Sequence, residues 1–151
     1  TLEDVDSPTF IGIRQKDFRM NLSVKVTLDQ GEAGLTLYMD EMQHYDLAIR
    51  TGAEGYEAVL KINIGTAKHT LAVFSLTENC TGLLVTADPL EYHFYLISEN
   101  ASGQESRTEL GMGYTKYLSS EVAGGFTGVI MGLYSIGENN AVFTDFRCEY
   151  L

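Results

Sequence analysis

The sequence predicts an all-β protein, a two-sheet antiparallel β-sandwich with jelly-roll topology. Alternation of apolar and polar residues is the dominant period, and roughly eleven strand-like runs are separated by short Gly, Asn and Asp turn signals. No run has the pattern of a helix of three turns. With 151 residues and 44% hydrophobic content, the chain can bury one substantial core, and no linker composition divides it. We therefore expect residues 1–151 to form one domain.

The strands follow one another with short connections. Alternation is clearest over 21–28, where four aliphatic residues share one face. The runs 32–40 and 43–51 are expected to form a hairpin, with Tyr45, Leu47 and Ile49 directed inward and His44, Asp46, Ala48 and Arg50 outward. The other predicted strands span 7–14, 56–64, 69–76, 82–86, 90–98, 105–112, 127–135 and 141–150.

The charge of the chain excludes more partners than it identifies. A formal net charge of −11 with ten Lys and Arg residues argues against nucleic acid and against an acidic membrane surface, whereas a neutral polysaccharide is indifferent to it. No apolar run has the roughly 20 residues of a membrane span, and no signal peptide is evident. Because the sequence begins at Thr1, we expect an excised fragment, which leaves localisation open between the bacterial cytoplasm and secretion.

The common catalytic and metal-binding patterns are absent from the sequence. It contains neither Gly-x-Ser-x-Gly nor a P-loop spacing. His44, His69 and His93 lack the short spacing of a shared metal site, so no zinc is predicted. Cys80 and Cys148 match no metal or redox motif, and structural thiols are favoured over a disulfide. None of the 21 acids stands out as one of a catalytic pair.

Three segments together resemble one known family. Residues 119–128 read SSEVAGGFTG, with glycines around Phe126; residues 7–15 read SPTFIGIRQ; and a strand over 141–151 closes the chain. They resemble the C-terminal concanavalin A-like β-sandwich domain of glycoside hydrolase family 43, the β-xylosidases and α-L-arabinofuranosidases. The resemblance covers nearly the whole chain. It implies a non-catalytic domain, because the catalytic carboxylates of that family belong to a propeller that has no counterpart here.

The resemblance also suggests substrate contacts. Phe126 matches the aromatic residue that the sandwich is expected to lend to the rim of the active site, although an anchor for the glycine loop is an equal alternative. His44 and Tyr45 occupy the place of a family stretch that ends in tyrosines. Together with Tyr38 and Arg50 they are candidates for sugar binding, while an ordinary solvated sheet face is the favoured alternative.

The remaining expectations concern partners. Arg14 and Gln15 fit the family's opening and are candidates for contact with the propeller. A structural calcium at Asp145 with Glu3, Asp4 or Asp6 is a minor option, and no cofactor is otherwise expected. The predicted function is that of an ancillary domain that supports the propeller and helps to close its site on xylo-oligosaccharides. The alternative is an autonomous xylan-binding module.

Overall fold

Antiparallel strands account for most of the computed structural model, which describes residues 9–119 and 128–151. These residues contain a short 3₁₀ helix, Thr115–Leu118, and no α-helix. None of the described helices is long and apolar enough to cross a membrane. The strands are β1 Thr9–Arg14, β2 Met20–Thr27, β3 Glu32–Asp40, β4 Gln43–Gly52, β5 Gly55–Ile64, β6 Ala67–Leu76, β7 Cys80–Ala87, β8 Glu91–Glu99, β9 Glu105–Tyr114, β10 Ile130–Ile136 and β11 Val142–Tyr150.

The strands form two antiparallel sheets that pack face to face. Sheet A has six strands in the order β1-β10-β3-β4-β5-β6, and sheet B has five in the order β11-β2-β7-β8-β9. Contacts between β2 and β3, β4 and β7, and β6 and β9 stack the sheets in this order. Strands β1 and β11 therefore lie at the same side of the sandwich. The chain passes from one sheet to the other between β1 and β2, β2 and β3, β6 and β7, β9 and β10, and β10 and β11.

One apolar layer between the sheets forms the core. The inner strands of both sheets contribute every second residue to it, because side chains alternate between the two faces of a sheet. Leu35 and Leu37 of β3, Leu47 of β4 and Leu60 of β5 meet Leu22, Val85 and Phe94 from sheet B, and all are buried. A smaller cluster of Ala48, Val59 and Tyr134 lies on the opposite face of sheet A.

The structure confirms the predicted two-sheet antiparallel sandwich. The strand predicted over 32–40 coincides with β3, and that over 43–51 is one residue shorter than β4. Larger differences occur where apolar alternation is weak, as at β7, which extends the predicted 82–86 by two residues at its start and one at its end. Cys80 and Cys148 are free thiols, and Thr27 Oγ1 donates a hydrogen bond to Cys80 Sγ at 3.2 Å.

Candidate functional site

The outer face of sheet A, which points away from the core, holds a group of buried polar side chains. The β3–β4 and β4–β5 registers align Tyr38, His44 and Asn63 in one row across the sheet, with Thr36 and Asp46 in the next row. The side chains of Thr36, His44, Asp46 and Asn63, called here the polar cluster, are all buried; His44 is only 1% exposed. Buried polar groups need hydrogen-bond partners, and these four supply partners for one another.

Asp46 is the centre of the polar cluster. Thr36 Oγ1 donates to Asp46 Oδ1 at 2.7 Å, and His44 Nδ1 lies 2.9 Å from Asp46 Oδ1 and 3.0 Å from Oδ2. Asn63 Nδ2 lies 2.8 Å from His44 Nε2. With Nε2 accepting from the Asn63 amide, Nδ1 carries the proton that it donates to Asp46. The imidazole is therefore fixed in orientation by a partner on each side.

Tyr38 joins the polar cluster to the first strand through ring contacts. Its ring centroid is 5.7 Å from that of His44 and 5.4 Å from that of Phe10. Phe10 in turn lies over Gly12 and Gly132, where any Cβ would collide with its ring. Partial burial raises the pKa of the Tyr38 hydroxyl, and the nearby carboxylates of Glu41, Asp40 and Asp46 raise it further. The phenol therefore stays protonated and can donate a hydrogen bond.

The far end of the same face carries two ion pairs. Lys61 Nζ donates to Glu32 Oε2 at 2.6 Å, and the hydroxyl of Tyr134 donates to the same oxygen at 2.8 Å. Arg50 Nε donates to Glu57 Oε2 at 3.0 Å, with both side chains about a third exposed. Of the outward residues predicted for the hairpin, Arg50 is thus the one that reaches solvent.

Tyr45 lies on the opposite side of sheet A from His44, as the alternation predicts. It is fully buried in the core, and its ring packs edge-on against Tyr92 and Phe94 from sheet B. Its hydroxyl donates to the carbonyl oxygen of Tyr114 at 2.7 Å. Burial raises the pKa of this hydroxyl well above its ordinary value. The position is at odds with the prediction that Tyr45 contacts a sugar, since a core residue presents no surface to a ligand.

A cleft of about 890 Å³ opens at the end of the sandwich where β1 and β9 finish. Its walls come from the loop after β1, the turn between β7 and β8, and the 3₁₀ helix; they include Gln15, Phe18, Leu90, Tyr114 and Lys116. Gln15 is held in place because its Oε1 accepts from the Tyr92 hydroxyl at 2.9 Å and its Nε2 donates to the Asp17 carbonyl at 2.8 Å. A cleft of this size suits a small ligand or a short peptide segment.

Comparison with known proteins decides which family these features belong to. Residues 1–149 match the family described as the beta xylosidase C-terminal concanavalin A-like domain. The chain belongs to this family. It is 34% identical over 161 aligned positions to the non-reducing end alpha-L-arabinofuranosidase BoGH43B of Bacteroides ovatus, an alignment that covers 95% of this chain and 28% of that enzyme.

Solved structures of glycoside hydrolase family 43 share the fold. The Bacteroides ovatus xyloglucan-locus GH43B superposes with a TM-score of 0.80 at 33% identity, over 95% of this chain and 30% of that one. A xylan beta-1,4-xylosidase from Bacillus halodurans gives a TM-score of 0.87 at 22% identity, over 99% of this chain and 31% of that one. The chain thus corresponds to less than a third of the length of each of these relatives. In this family the concanavalin A-like domain is the C-terminal part of larger chains that also have a catalytic domain.

The residues that the family resemblance singled out lie in different parts of the structure. Phe126 lies outside the described residues. Arg14 ends β1 on the outer-face side, in the row of Ile130 and Tyr38, whereas Gln15 lines the cleft. The predicted substrate contacts Tyr38, His44 and Arg50 share the outer face. Tyr38 and Arg50 are half-buried there, and His44 lies beneath the surface.

Of the residues suggested for a calcium site, Asp145 is the one that the structure describes. It adopts a left-handed backbone conformation with φ 54° at an irregularity where β11 shifts its register against β2. Its suggested partners Glu3, Asp4 and Asp6 lie outside the described residues. Across residues 9–119 and 128–151, no three His, Cys, Asp or Glu side chains come together in a way that could hold a metal ion.

Sequence reasoning missed two parts of the site. Thr36 and Asn63 complete the polar cluster, yet Asn63 lies 19 positions from His44 and nothing local marks the pair. The cleft was also missed, because its walls come from loops far apart in the chain. Thr36 in β3 and Asn63 in β5 both alternate outward, and this was a signal that could have placed them beside His44 and Asp46 of β4.

Proposed function

We propose that this chain is an ancillary, non-catalytic domain of a xylan-degrading glycosidase of β-xylosidase or arabinofuranosidase type, which supports the catalytic propeller and helps to close its substrate site. The observation that carries the proposal is the coverage: nearly all of this chain aligns with 28% of an arabinofuranosidase. The catalytic machinery of such an enzyme then resides in the other part of the polypeptide. The domain acts by what its surface presents to that part.

The outer face of sheet A supports this role. It presents the Tyr38 ring and the Arg50 guanidinium, one suited to stacking on a sugar ring and the other to hydrogen bonds with hydroxyls. The polar cluster supports the Tyr38 ring from the neighbouring strand, since the fixed imidazole of His44 packs against it. Within this proposal, His44 positions Tyr38, while Phe126 supplies an apolar ring at the rim of the active site.

The experiment that tests the proposal compares the full-length polypeptide with a version lacking residues 1–151. Turnover of aryl xylosides and aryl arabinosides is measured for both, together with thermal unfolding. We expect kcat/KM to fall by a factor of about ten or more without the domain. Equal kcat/KM and equal stability of the two proteins would overturn the proposal.

A single substitution separates substrate contact from general support. Phe126→Ala in the full-length polypeptide is expected to lower kcat/KM by about tenfold, because an apolar contact at the active site is lost. Phe74→Ala on the edge strand β6 is the matched control: Phe74 is exposed, and its removal is expected to leave kcat/KM unchanged. If both variants retain full activity, Phe126 has no role at the rim.

A further inference from the structure

Sheet A extends beyond sheet B at one side of the sandwich. In sheet A, β1 lies outside β10, and its register aligns Ile11 with Leu133 and Ile13 with Met131. Met131 is fully buried and Leu133 packs against the core. Ile11 and Ile13 point to the same face of the sheet, yet they are 75% and 47% exposed. The core-facing side of sheet A thus continues past the edge of sheet B without a cover among the described residues.

The edge strand of sheet B adds apolar surface at the same side. Phe146 and Tyr150 of β11 and the adjoining Leu151 are exposed, as is Phe18 in the loop after β1. Two hydrogen bonds join this end of β11 to that loop: the Lys16 amide donates to the Tyr150 hydroxyl at 3.1 Å, and the Leu151 amide donates to the Arg19 carbonyl at 3.2 Å. We call Ile11, Ile13, Phe18, Phe146, Tyr150 and Leu151 the lateral surface.

Such a surface is unusual for a sandwich exposed to water on that side. Edge strands are generally protected by charged side chains or by a covering segment, and large exposed apolar patches mark interaction sites. Within its bounds, Thr9–Arg14, β1 carries a single charge, Arg14 at its end, and two isoleucines on the face that would otherwise be core. We therefore expect another apolar surface to cover the exposed isoleucines on the core-facing side of sheet A.

We propose that the lateral surface docks the catalytic domain of the same polypeptide. This inference rests on the proposed function and names the surface through which it works. The length of chain outside this domain argues for that occupant, because about 70% of each compared relative lies outside the matched part. The family places the sandwich at the C-terminus, so the catalytic domain precedes β1, the first described strand and a strand of the lateral surface.

Hydrogen exchange of the full-length polypeptide and of the 151-residue chain tests the docking directly. Amides of β1 and β11 are expected to exchange on the order of tenfold more slowly in the full-length polypeptide, because the docked domain covers both edges. Amides of the opposite edge strand β6 are expected to exchange at the same rate in both proteins. Equal exchange of β1 and β11 in the two proteins would overturn the inference.

Paired substitutions supply the matched control. Ile11→Ser with Ile13→Ser removes the two isoleucines of β1, while Leu71→Ser with Val73→Ser removes two exposed apolar side chains, 48% and 51%, from β6. Only the first pair is expected to abolish the added protection of β11 in the full-length polypeptide. Both pairs are expected to leave the unfolding midpoint of the 151-residue chain nearly unchanged, which excludes a folding defect. Equal effects of the two pairs on β11 protection would contradict the assignment.

Two further results distinguish the catalytic domain from a second copy of the chain as the partner, and the docking inference from the proposed function. Light scattering of the 151-residue chain is expected to give a monomer; a dimer that the Ile11→Ser, Ile13→Ser pair dissociates would instead assign the lateral surface to a second copy and overturn the inference. If deletion of the domain lowers turnover but β1 exchange is unaffected, the proposed function stands and this docking surface is wrong. If deletion has no effect on turnover while β1 is protected, the docking stands and the proposed function fails.

Discussion

The hydroxyl of Tyr45 in sheet A donates a 2.7 Å hydrogen bond to the backbone carbonyl of Tyr114 at the end of sheet B. The bond crosses the core and ends at the residue that precedes the 3₁₀ helix Thr115–Leu118. Gly113 makes room for it, since a Cβ there would come within 2.7 Å of the Tyr45 ring. One buried tyrosine thus links the two sheets beside the cleft.

Tyr45→Phe is expected to destabilise the fold by about 1 kcal/mol, because the Tyr114 carbonyl loses a hydrogen-bond donor within the sandwich. Urea unfolding of the 151-residue chain measures the change. Tyr56→Phe is the matched control: the Tyr56 hydroxyl also donates to a carbonyl, that of Asp29, but in an exposed setting where water replaces it. A loss for Tyr45→Phe no larger than for Tyr56→Phe would contradict this account of the bond.

Asp46→Ala is expected to cost about 3 kcal/mol of unfolding free energy. Both Thr36 Oγ1 and His44 Nδ1 donate to this carboxylate, and its removal leaves two buried donors without an acceptor. Arg50→Gln, on the same strand and face but partly exposed, is expected to change stability by less than about 1 kcal/mol. Comparable losses in the two variants would show that the polar cluster is not the stabilising element of this face.

Gly34→Ala tests the tight packing between β3 and β4. A Cβ at Gly34 would fall on the backbone carbonyl oxygen of Leu47 and within 2.5 Å of the Ala48 Cα, and neither backbone atom can move without displacing the strand. We expect a loss of about 2–3 kcal/mol in chemical unfolding. Gly111→Ala, where the obstacle is a side-chain methyl of Leu60 at 2.9 Å, is expected to lose less. The reverse order would contradict the steric explanation.

The stability contributed by His93 is expected to depend on pH. Its Nδ1 lies 2.7 Å from Glu109 Oε1 and its Nε2 lies 2.9 Å from Glu91 Oε2. The hydrogen bond to Glu109 raises the pKa of the imidazole above 6.5, that to Glu91 adds to the rise, and burial opposes both. A raised folded-state pKa gives stability that is fully present below pH 6.5 and is lost as the pH rises through the folded-state value.

The measurement is the difference in unfolding free energy between the wild-type chain and His93→Gln across this pH range. The difference is expected to be largest on the acidic side and to shrink as the imidazole deprotonates. The same substitution made in a Glu109→Gln background is expected to show a weaker pH dependence, because the main cause of the raised pKa is gone. A difference that grows with pH would reverse the assigned sign.

Most of the fold could be predicted from local alternation. The hairpin of β3 and β4 was predicted nearly to the residue, because both strands alternate strictly between a core side and an outer side. The irregularity in β11 could not be predicted. There Asp145 adopts φ 54° and the register against β2 shifts, a change that depends on pairing with a distant strand.

The site was less predictable than the fold for a related reason. Alternation correctly assigned Tyr45 and His44 to opposite faces, but it carries no information on depth, and His44 is buried although it points away from the core. Its burial depends on Asp46, two positions away, and on Asn63, brought alongside by the pairing of β4 with β5. The contact between His44 and Asn63 arises from tertiary structure, which local alternation does not reveal.

Because the Phe10 ring lies directly on Gly12 and Gly132, a movement of β1 is passed to the residues that this ring contacts. The Phe10 ring touches Tyr38, and Tyr38 touches His44, so three rings in a line connect β1 to the imidazole at the middle of the sheet. With no side chain at either glycine to hold the ring apart from the backbone, a sliding or peeling of β1 moves Phe10 directly. A displacement of β1 would therefore reach the Tyr38 ring, two strands away in sheet A, and through it the contact with His44.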